Sequence, residues 1–260
     1  MRFHLFEFTD LKWYPGFLKK PIQEYLDFVS RRFGIFEPAI PIIEEGLRES
    51  GHSLILDLGS GAGGGLVDLW QELCERHPDL LIQQSDLFPI YDERPSESSR
   101  VQYLEEPVDA GFVPERLKGF RTLFTLAHHF QPDQLRAVIA DAARKRTGLA
   151  IFEPVGGGII QILLMILLVP WLVLFTVPFI RPFKLSRLLF TFLLPIIPAT
   201  IVWDGVVSSL RAYNEEELLR IAREAQRETG ASIRWQSGTV FNGRRMPLLY
   251  LMGTPIQTVD

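Results

Sequence analysis

With 260 residues, the chain is long enough for one α/β domain with an insertion, and two domains are also possible. Its formal net charge is −4. Outside the apolar region the only compact basic cluster is Arg144-Lys145-Arg146, which argues against nucleic-acid binding. The single cysteine, Cys74, cannot form an internal disulfide, which favours a reducing, cytosolic compartment. Glu7 and Asp10 break the N-terminal apolar run, so a secretory signal is not expected.

Residues 1–50 are rich in aromatic side chains and are predicted to be helical. Pro21 and Pro41 each stand where a helix could begin, because proline is favoured in the first turn. We interpret this region as a cap that both packs on a sheet and covers a site.

A glycine-rich turn follows the first predicted strand. Residues 53–58 are predicted to form a buried strand, and an amphipathic run after the glycines predicts a helix. Glycines allow a ligand to approach the backbone, and the first helical turn offers free N–H groups. Gly59, Gly61 and Gly64 match the dinucleotide-binding spacing, so NAD is one possible ligand. A turn without a ligand is another.

Asp57 favours a different ligand, because it extends the glycines to the pattern DxGxGxG. With this pattern the chain resembles class I S-adenosylmethionine (SAM)-dependent methyltransferases. The resemblance implies that Asp57 helps to position the methionine part of SAM. It also implies that Gly59, Gly61 and Gly63 lie under the backbone and ribose of that cofactor.

Two further acidic residues follow predicted strands. Asp86 comes after the strand at residues 80–83, and Asp109 comes after the strand at residues 101–104. The resemblance implies that Asp86 accepts hydrogen bonds from the ribose hydroxyls and that Asp109 reaches the adenine amino group. The alternative is an ordinary turn aspartate at position 86 and a solvated charge at position 109.

Two histidines follow the fourth predicted strand, residues 119–127, and Glu153 ends the fifth, residues 148–152. In open α/β sheets, ligands bind at the carboxyl ends of the strands, where these side chains converge with the earlier aspartates. A histidine near neutrality can accept a proton from a hydroxyl or amine acceptor. We choose His129 over His128 as this base, although either can be a structural, hydrogen-bonded histidine.

Two apolar runs depart from the usual methyltransferase plan. Residues 159–180 contain Gln161 as their only strongly polar member, and residues 188–203 form a second, shorter run. A helix over the first run would measure about 33 Å, which matches a bilayer core of about 30 Å.

The basic link between the runs favours a monotopic arrangement over a spanning hairpin. A crossing hairpin would place Arg181, Lys184 and Arg187 on the outer side, against the positive-inside tendency. A hairpin within one leaflet keeps these cations with cytoplasmic headgroups, so a cytoplasmic, peripheral or monotopic location is predicted. The alternative is a buried lid or a dimer interface in a soluble protein.

The last part of the chain regains a soluble pattern. Trp203-Asp204-Gly205 is predicted as a turn near the rim of the site, and Asn214 as the cap of a helix at residues 215–228. Residues 232–241 and 247–252 predict a hairpin. A closing antiparallel pair is what the methyltransferase resemblance implies.

The predicted architecture is therefore a Rossmann-like seven-stranded α/β sheet with a terminal antiparallel hairpin. Its parts are a helical N-terminal cap at 1–50, a SAM-binding core at 51–155, an apolar membrane-associating insertion at 156–203 and a C-terminal completion at 204–260. The chain also resembles bacterial methyltransferase-like sequences that have a similar His-His-Phe segment and apolar insertion.

The predicted function is SAM-dependent methyl transfer to a small or lipid-like acceptor at or near a membrane surface. The alternatives are a non-catalytic, membrane-associated SAM-binding protein and, less favoured, an NAD-dependent oxidoreductase. No CxxC, HExxH or GxSxG motif is present, so no metal site or serine nucleophile is predicted. The acceptor and the oligomeric state stay open.

Overall fold

The computed structural model describes two compact units. The described residues are 5–89, 99–154 and 156–256. Residues 33–154 and 213–260 form one unit, called here the sheet unit, and residues 1–32 and 155–212 form the other, called the helical unit.

The sheet unit contains seven strands in the order β3-β2-β1-β4-β5-β7-β6. The first five are parallel, and β7 runs antiparallel between β5 and β6. The strands are β1 (Leu54–Leu58), β2 (Leu81–Ser85), β3 (Val101–Tyr103), β4 (Phe120–Phe124), β5 (Leu149–Glu153), β6 (Ile233–Phe241) and β7 (Pro247–Pro255). The predicted seven-stranded sheet with a terminal antiparallel pair is confirmed.

Eight α-helices accompany the sheet in the described part of the chain. They are α1 (Gly16–Phe33), α2 (Ile40–Ser50), α3 (Val67–Arg76), α4 (Pro132–Lys145), α5 (Ile159–Thr176), α6 (Leu185–Leu188), α7 (Ile196–Arg211) and α8 (Glu215–Thr229). Of these, α2, α3, α4 and α8 belong to the sheet unit. They cover both faces of the sheet, as expected for parallel strands.

The core of the sheet unit has two layers that follow the alternation of the strands. Leu56 and Leu58 of β1 pack with α4 and α8 in one apolar cluster, whereas Ile55 packs with α2 and α3 in another. Successive side chains of a strand point to opposite faces, so each strand serves both clusters.

Helix α8 begins as its sequence predicts. The Glu217 N–H donates to the Asn214 side chain (2.9 Å), and the Asn214 N–H donates to the Glu217 carboxylate (3.1 Å). This reciprocal capping box satisfies N–H groups that have no partner inside the helix.

Two local predictions were wrong. Helix α1 begins at Gly16 and contains Pro21, because the Pro15 carbonyl already accepts the Leu18 and Lys19 N–H groups. Trp203-Asp204-Gly205 lies inside α7 and forms no turn. The Asp204 carboxylate accepts the Phe8 and Thr9 N–H groups, so this polar side chain is satisfied within a helix.

The unit boundaries also differ from the expected ones. The boundary expected between residues 203 and 204 falls within α7. The N-terminal region divides near residue 32, because α1 packs with α5 and α7 whereas α2 packs on the sheet.

The helical unit buries a small apolar cluster and leaves much of α5 exposed. Tyr14, Ile22 and Tyr25 pack with Val173 and Ile197, together with four further buried side chains. The segment Ile159–Phe179 is long and apolar enough to cross a membrane. The two following helical segments, 185–193 and 196–211, are bent by 74° relative to each other.

The turn after α5 corrects the expectation that three cations reach lipid headgroups. The Arg187 Nη1 lies 2.5 Å from Glu24 Oε2, and Lys184 pairs with the other oxygen of the same carboxylate. Arg181 is the exposed cation of this turn. Two of the three charges are therefore engaged inside the helical unit.

The sheet unit contains a buried ion pair that sequence reasoning missed. Arg121 on β4 is fully buried, and its Nη1 donates to Asp141 Oδ2 on α4 (2.8 Å). Lys145 contacts the other Asp141 oxygen at 2.6 Å. Arg121 Nε and Nη2 have no hydrogen-bond partner among the described residues. Burial lowers the Arg121 pKa, and Asp141 partly offsets this effect.

We predict that Asp141→Leu alone lowers the free energy of unfolding by about 3–5 kcal/mol, because it leaves the Arg121 charge buried without its partner. The double variant Arg121→Met/Asp141→Leu should recover most of this loss, since it removes both charges. Urea denaturation of the wild type, both single variants and the double variant measures the coupling. Additive losses in the double variant would contradict the account.

Candidate active site

Three glycines in the left-handed region shape the loop after β1. The φ angles of Gly59, Gly61 and Gly63 are 72°, 54° and 71°. A Cβ on Gly59 would lie 2.3 Å from a Leu126 methyl carbon, and one on Gly63 would lie 2.6 Å from Gln84 Nε2. At Gly61 a Cβ would have no described atom within 4 Å. Side chains therefore pack against the loop at Gly59 and Gly63, whereas no described residue packs against it at Gly61.

Hydrogen bonds fix this loop to the ends of β2 and β3. The Ser60 N–H donates to the Ser85 carbonyl (3.0 Å), and the Ser85 hydroxyl donates to the Asp57 carbonyl (2.9 Å). The Tyr103 hydroxyl donates to the Gly61 carbonyl (2.9 Å). The loop is thus held in shape by the sheet unit itself.

Asp57 lies beneath the loop as a buried carboxylate. Its side chain accepts the Thr122 hydroxyl at 2.7 Å and the Ser60 hydroxyl at 2.6 Å, one on each oxygen. Burial raises the pKa of Asp57 to about 7, the two hydroxyls oppose this rise, and the charge of Asp86 adds to it. Asp57 therefore links β1, β4 and the loop.

Asp86 directly contacts the open part of the loop. Its Oδ2 accepts the Gly61 N–H and its Oδ1 accepts the Phe88 N–H, each at 2.8 Å. Each carboxylate oxygen can accept two hydrogen bonds, so acceptor capacity is left for a ligand. The half-buried Asp86 carboxylate lies beside the one glycine whose Cβ position is open.

Asp109 is exposed and accepts the Gly111 N–H at 2.8 Å. The preceding residue, Val108, donates its N–H to the Asp86 carbonyl at 2.9 Å. Asp109 therefore lies one residue beyond a backbone contact with Asp86, on the β3 side of the loop.

The two histidines differ in their surroundings. His128 is buried, and its Nδ1 lies 2.8 Å from Glu153 Oε2, while Glu153 Oε1 accepts the Ala127 N–H at 2.7 Å. The half-buried His129 ring contacts the His128 ring with centroids 4.3 Å apart.

Thr125 connects the histidine segment to β4 in a strained conformation. Its φ is 54°, which is an outlier for a β-branched residue. The following Leu126 is the side chain that packs under Gly59. Such strained residues cluster at functional sites, where the surrounding structure maintains them.

The structure thus forms two neighbouring groups at the carboxyl edge of the sheet. One contains Asp57, Asp86 and the glycines; the other contains His128, His129 and Glu153. Leu126 connects them.

The sequence did not indicate several residues that support the site, because they are common polar residue types outside any recognised motif. Ser60, Thr122 and Tyr103 hold the acidic side chain and the loop. Gln84 packs under Gly63, and its Nε2 has no hydrogen-bond partner among the described residues. The signal in the sequence that could have found Gln84 is the run Gln83-Gln84-Ser85, which is unusually polar for the end of a buried strand.

We predict that stability depends on pH through Asp57. Its folded pKa is raised from 3.8 to about 7, so the stabilisation by the protonated carboxyl is fully present below pH 3.8 and lost as the pH rises through 7. Asp57→Asn stays neutral. The free energy of unfolding of the wild type should therefore fall relative to the variant by about 2–4 kcal/mol between about pH 4 and about pH 8.

Urea denaturation of both proteins across this pH range measures the difference in their free energies of unfolding. Groups that titrate equally in both proteins do not contribute to this difference. A difference that does not change with pH would contradict a raised Asp57 pKa.

Comparisons with known proteins show similarity at the level of structure. No family model and no curated protein matches the sequence. The plantazolicin methyltransferase BpumL, solved in complex with SAH, is similar with a TM-score of 0.57 and 10% identity, covering 96% of this chain and 94% of that chain.

Human N-acetylserotonin methyltransferase, solved in complex with SAM, is similar with a TM-score of 0.51 and 11% identity. The match covers 92% of this chain, which spans 57% of the human chain. At such identities the comparison speaks to the fold. The chain has the class I methyltransferase fold.

Proposed function

We propose that the chain is a SAM-dependent methyltransferase that acts on a small or lipid-like acceptor at a membrane surface. The observation that carries the proposal is the glycine loop held against Asp86 in a sheet of methyltransferase order. The solved relatives that bind SAM or SAH support the choice of cofactor.

The residues around the loop suit SAM. Gly59, Gly61 and Gly63 allow close approach of the cofactor to the backbone, and a side chain at any of them would clash or require a strained φ. The free acceptor sites of Asp86 suit the ribose hydroxyls, and Asp109 would reach the adenine amino group. Asp57 has both oxygens engaged within the protein, so it acts as a positioning residue that holds Ser60 and the loop.

SAM supplies an electrophilic methyl group on a sulfonium. The protein contributes orientation of the acceptor, exclusion of water and removal of a proton. His129 is the proposed base because its ring is partly exposed at the carboxyl edge of the sheet. The His129 ring packs against the ring of His128, whose Nδ1 lies within hydrogen-bond distance of Glu153.

The helical unit supports a membrane location and a lipid-like acceptor. Of 29 exposed large apolar side chains among the described residues, 18 lie in residues 159–203. Exposed apolar surface of this extent marks an interaction site. We place the protein on the cytoplasmic membrane face, where both SAM and lipid acceptors are accessible.

We predict that the purified protein transfers label from methyl-labelled SAM to a component of a membrane-lipid extract or a small-molecule fraction. His129→Ala should reduce turnover by about 10²–10⁴-fold, because the acceptor proton then has no positioned base. Its KM for SAM should change little. Scintillation counting of extracted products measures the transfer.

His77→Ala is the matched control, since His77 is exposed and pairs with Glu44 on the surface. Full activity of His129→Ala would remove His129 from the proposed role. No label in any acceptor fraction, despite SAM binding, would instead support the non-catalytic SAM-binding protein.

A further inference from the structure

We propose that the helical unit lies within one leaflet of a bilayer, with α5 parallel to the membrane plane and in contact with the acyl chains. This inference rests on the membrane contact of the proposed function and specifies its geometry. It excludes α5 as a transmembrane helix.

The exposed apolar surface extends along the whole of α5. Ile160, Leu167 and Phe175 are 72%, 61% and 70% exposed, and they stand near its start, middle and end. An 18-residue helix is about 27 Å long, whereas one leaflet of the hydrocarbon core is about 15 Å thick. All three side chains reach the acyl chains of one leaflet only if the helix axis lies close to the membrane plane.

The polar groups of α7 face inward along its length. Tyr14 bonds Thr200 (2.7 Å), the Phe8 N–H donates to Asp204 (2.7 Å), and Arg211 pairs with Glu7 at 3.1 Å. The N-terminal segment therefore lies along this polar stripe from end to end. In a spanning orientation this ionic stripe would cross the hydrocarbon core, which is costly.

The turn after α5 is tied to the middle of α1. Glu24 pairs with Lys184 and Arg187, and the buried Arg187 also donates to the Ile180 carbonyl at 2.9 Å. If α5 crossed the bilayer, the turn at its C-terminal end would lie on the far side of the membrane, and α1 would have to cross with it. Helix α1 carries six charged residues in 18 and cannot cross.

Because Lys184 and Arg187 pair with Glu24, we expect apolar contact to be the main source of membrane affinity. Arg181 is the exposed cation of the turn, and one arginine near an anionic surface contributes about 1 kcal/mol, or roughly fivefold in affinity. We expect binding to vesicles of zwitterionic phosphatidylcholine alone, and we expect it to persist at high salt, where exposed charges are screened.

Flotation with phosphatidylcholine vesicles tests the surface. The triple variant Ile160→Lys/Leu167→Lys/Phe175→Lys should bind at least ~100-fold more weakly, because three apolar side chains no longer enter the acyl region. The control Gln71→Lys/Gln102→Lys/Ser232→Lys adds the same charge at exposed positions of the sheet unit and should bind like the wild type. Binding that requires anionic lipid and disappears at high salt would overturn the apolar mode, and so would equal binding of the two triple variants.

The orientation is tested by spin labels at Ile160→Cys, Leu167→Cys and Phe175→Cys, each in a Cys74→Ala background. In-plane placement predicts similar depths for all three labels, from their relative accessibility to oxygen and to a polar relaxer. A label at position 167 deeper than the other two by roughly 10 Å would indicate a spanning helix, since seven residues rise by that distance. A steady change from 160 to 175 would indicate insertion of one end. Either result overturns the proposal.

These readouts do not involve methyl transfer. A failure of SAM binding or turnover with normal vesicle binding would reject the proposed activity and leave the membrane geometry intact. Normal turnover without vesicle binding would reject the membrane geometry alone.

Discussion

The buried carboxylate of Asp57 is the interaction on which the candidate site depends. It accepts one hydroxyl from β4 and one from the glycine loop, and so joins two neighbouring strands to the turn between β1 and α3. Burial disfavours the charged form of this group and so raises its pKa. The charge of Asp86 also repels the ionised Asp57 carboxylate and raises the Asp57 pKa further. Burying this carboxylate beside a second acidic residue lowers the stability of the charged state, and such perturbed pKa values are common at functional sites.

The larger features of the fold could be predicted from local sequence patterns. Continuous apolar runs predict the parallel strands, the glycine spacing predicts the turn, and Asn214 with Glu217 predicts the start of α8, since each depends on local chemistry. The positions of Asp86, His128 and Glu153 at strand ends also follow, because parallel strands bring their carboxyl ends to one edge.

The features that could not be predicted depend on distant parts of the chain. Asp204 looks like a turn residue until the N-terminal segment supplies its donors, some 195 residues away. The cations near residue 185 look available to headgroups until Glu24 on α1 engages two of them. Arg121 in a buried strand is explained only by Asp141 on α4. In each case a tertiary partner overrides the local pattern.

Polar and charged side chains of the helical unit are likewise paired with partners that are distant in the sequence. Two sets of its ionic groups, Glu7 with Arg211 and Glu24 with Arg187, pair with each other, while apolar side chains along α5 are exposed. An exposed apolar surface that extends along a whole helix marks a site of contact with an apolar partner. A lipid leaflet provides one and would bring a methyl acceptor of lipid character to the same surface.

Thermal unfolding with SAM, SAH and NAD distinguishes the candidate cofactors. A ligand that binds only the folded state at about 100 times its Kd stabilises it by about 2.7 kcal/mol. We expect SAM and SAH to raise the Tm and NAD to leave it unchanged. We also expect Asp86→Ala to lose the shift and the exposed-surface control Asp133→Ala to keep it. Stabilisation by NAD alone would rule out SAM as the cofactor, and an undiminished SAM shift in Asp86→Ala would rule out Asp86 as a cofactor-binding residue.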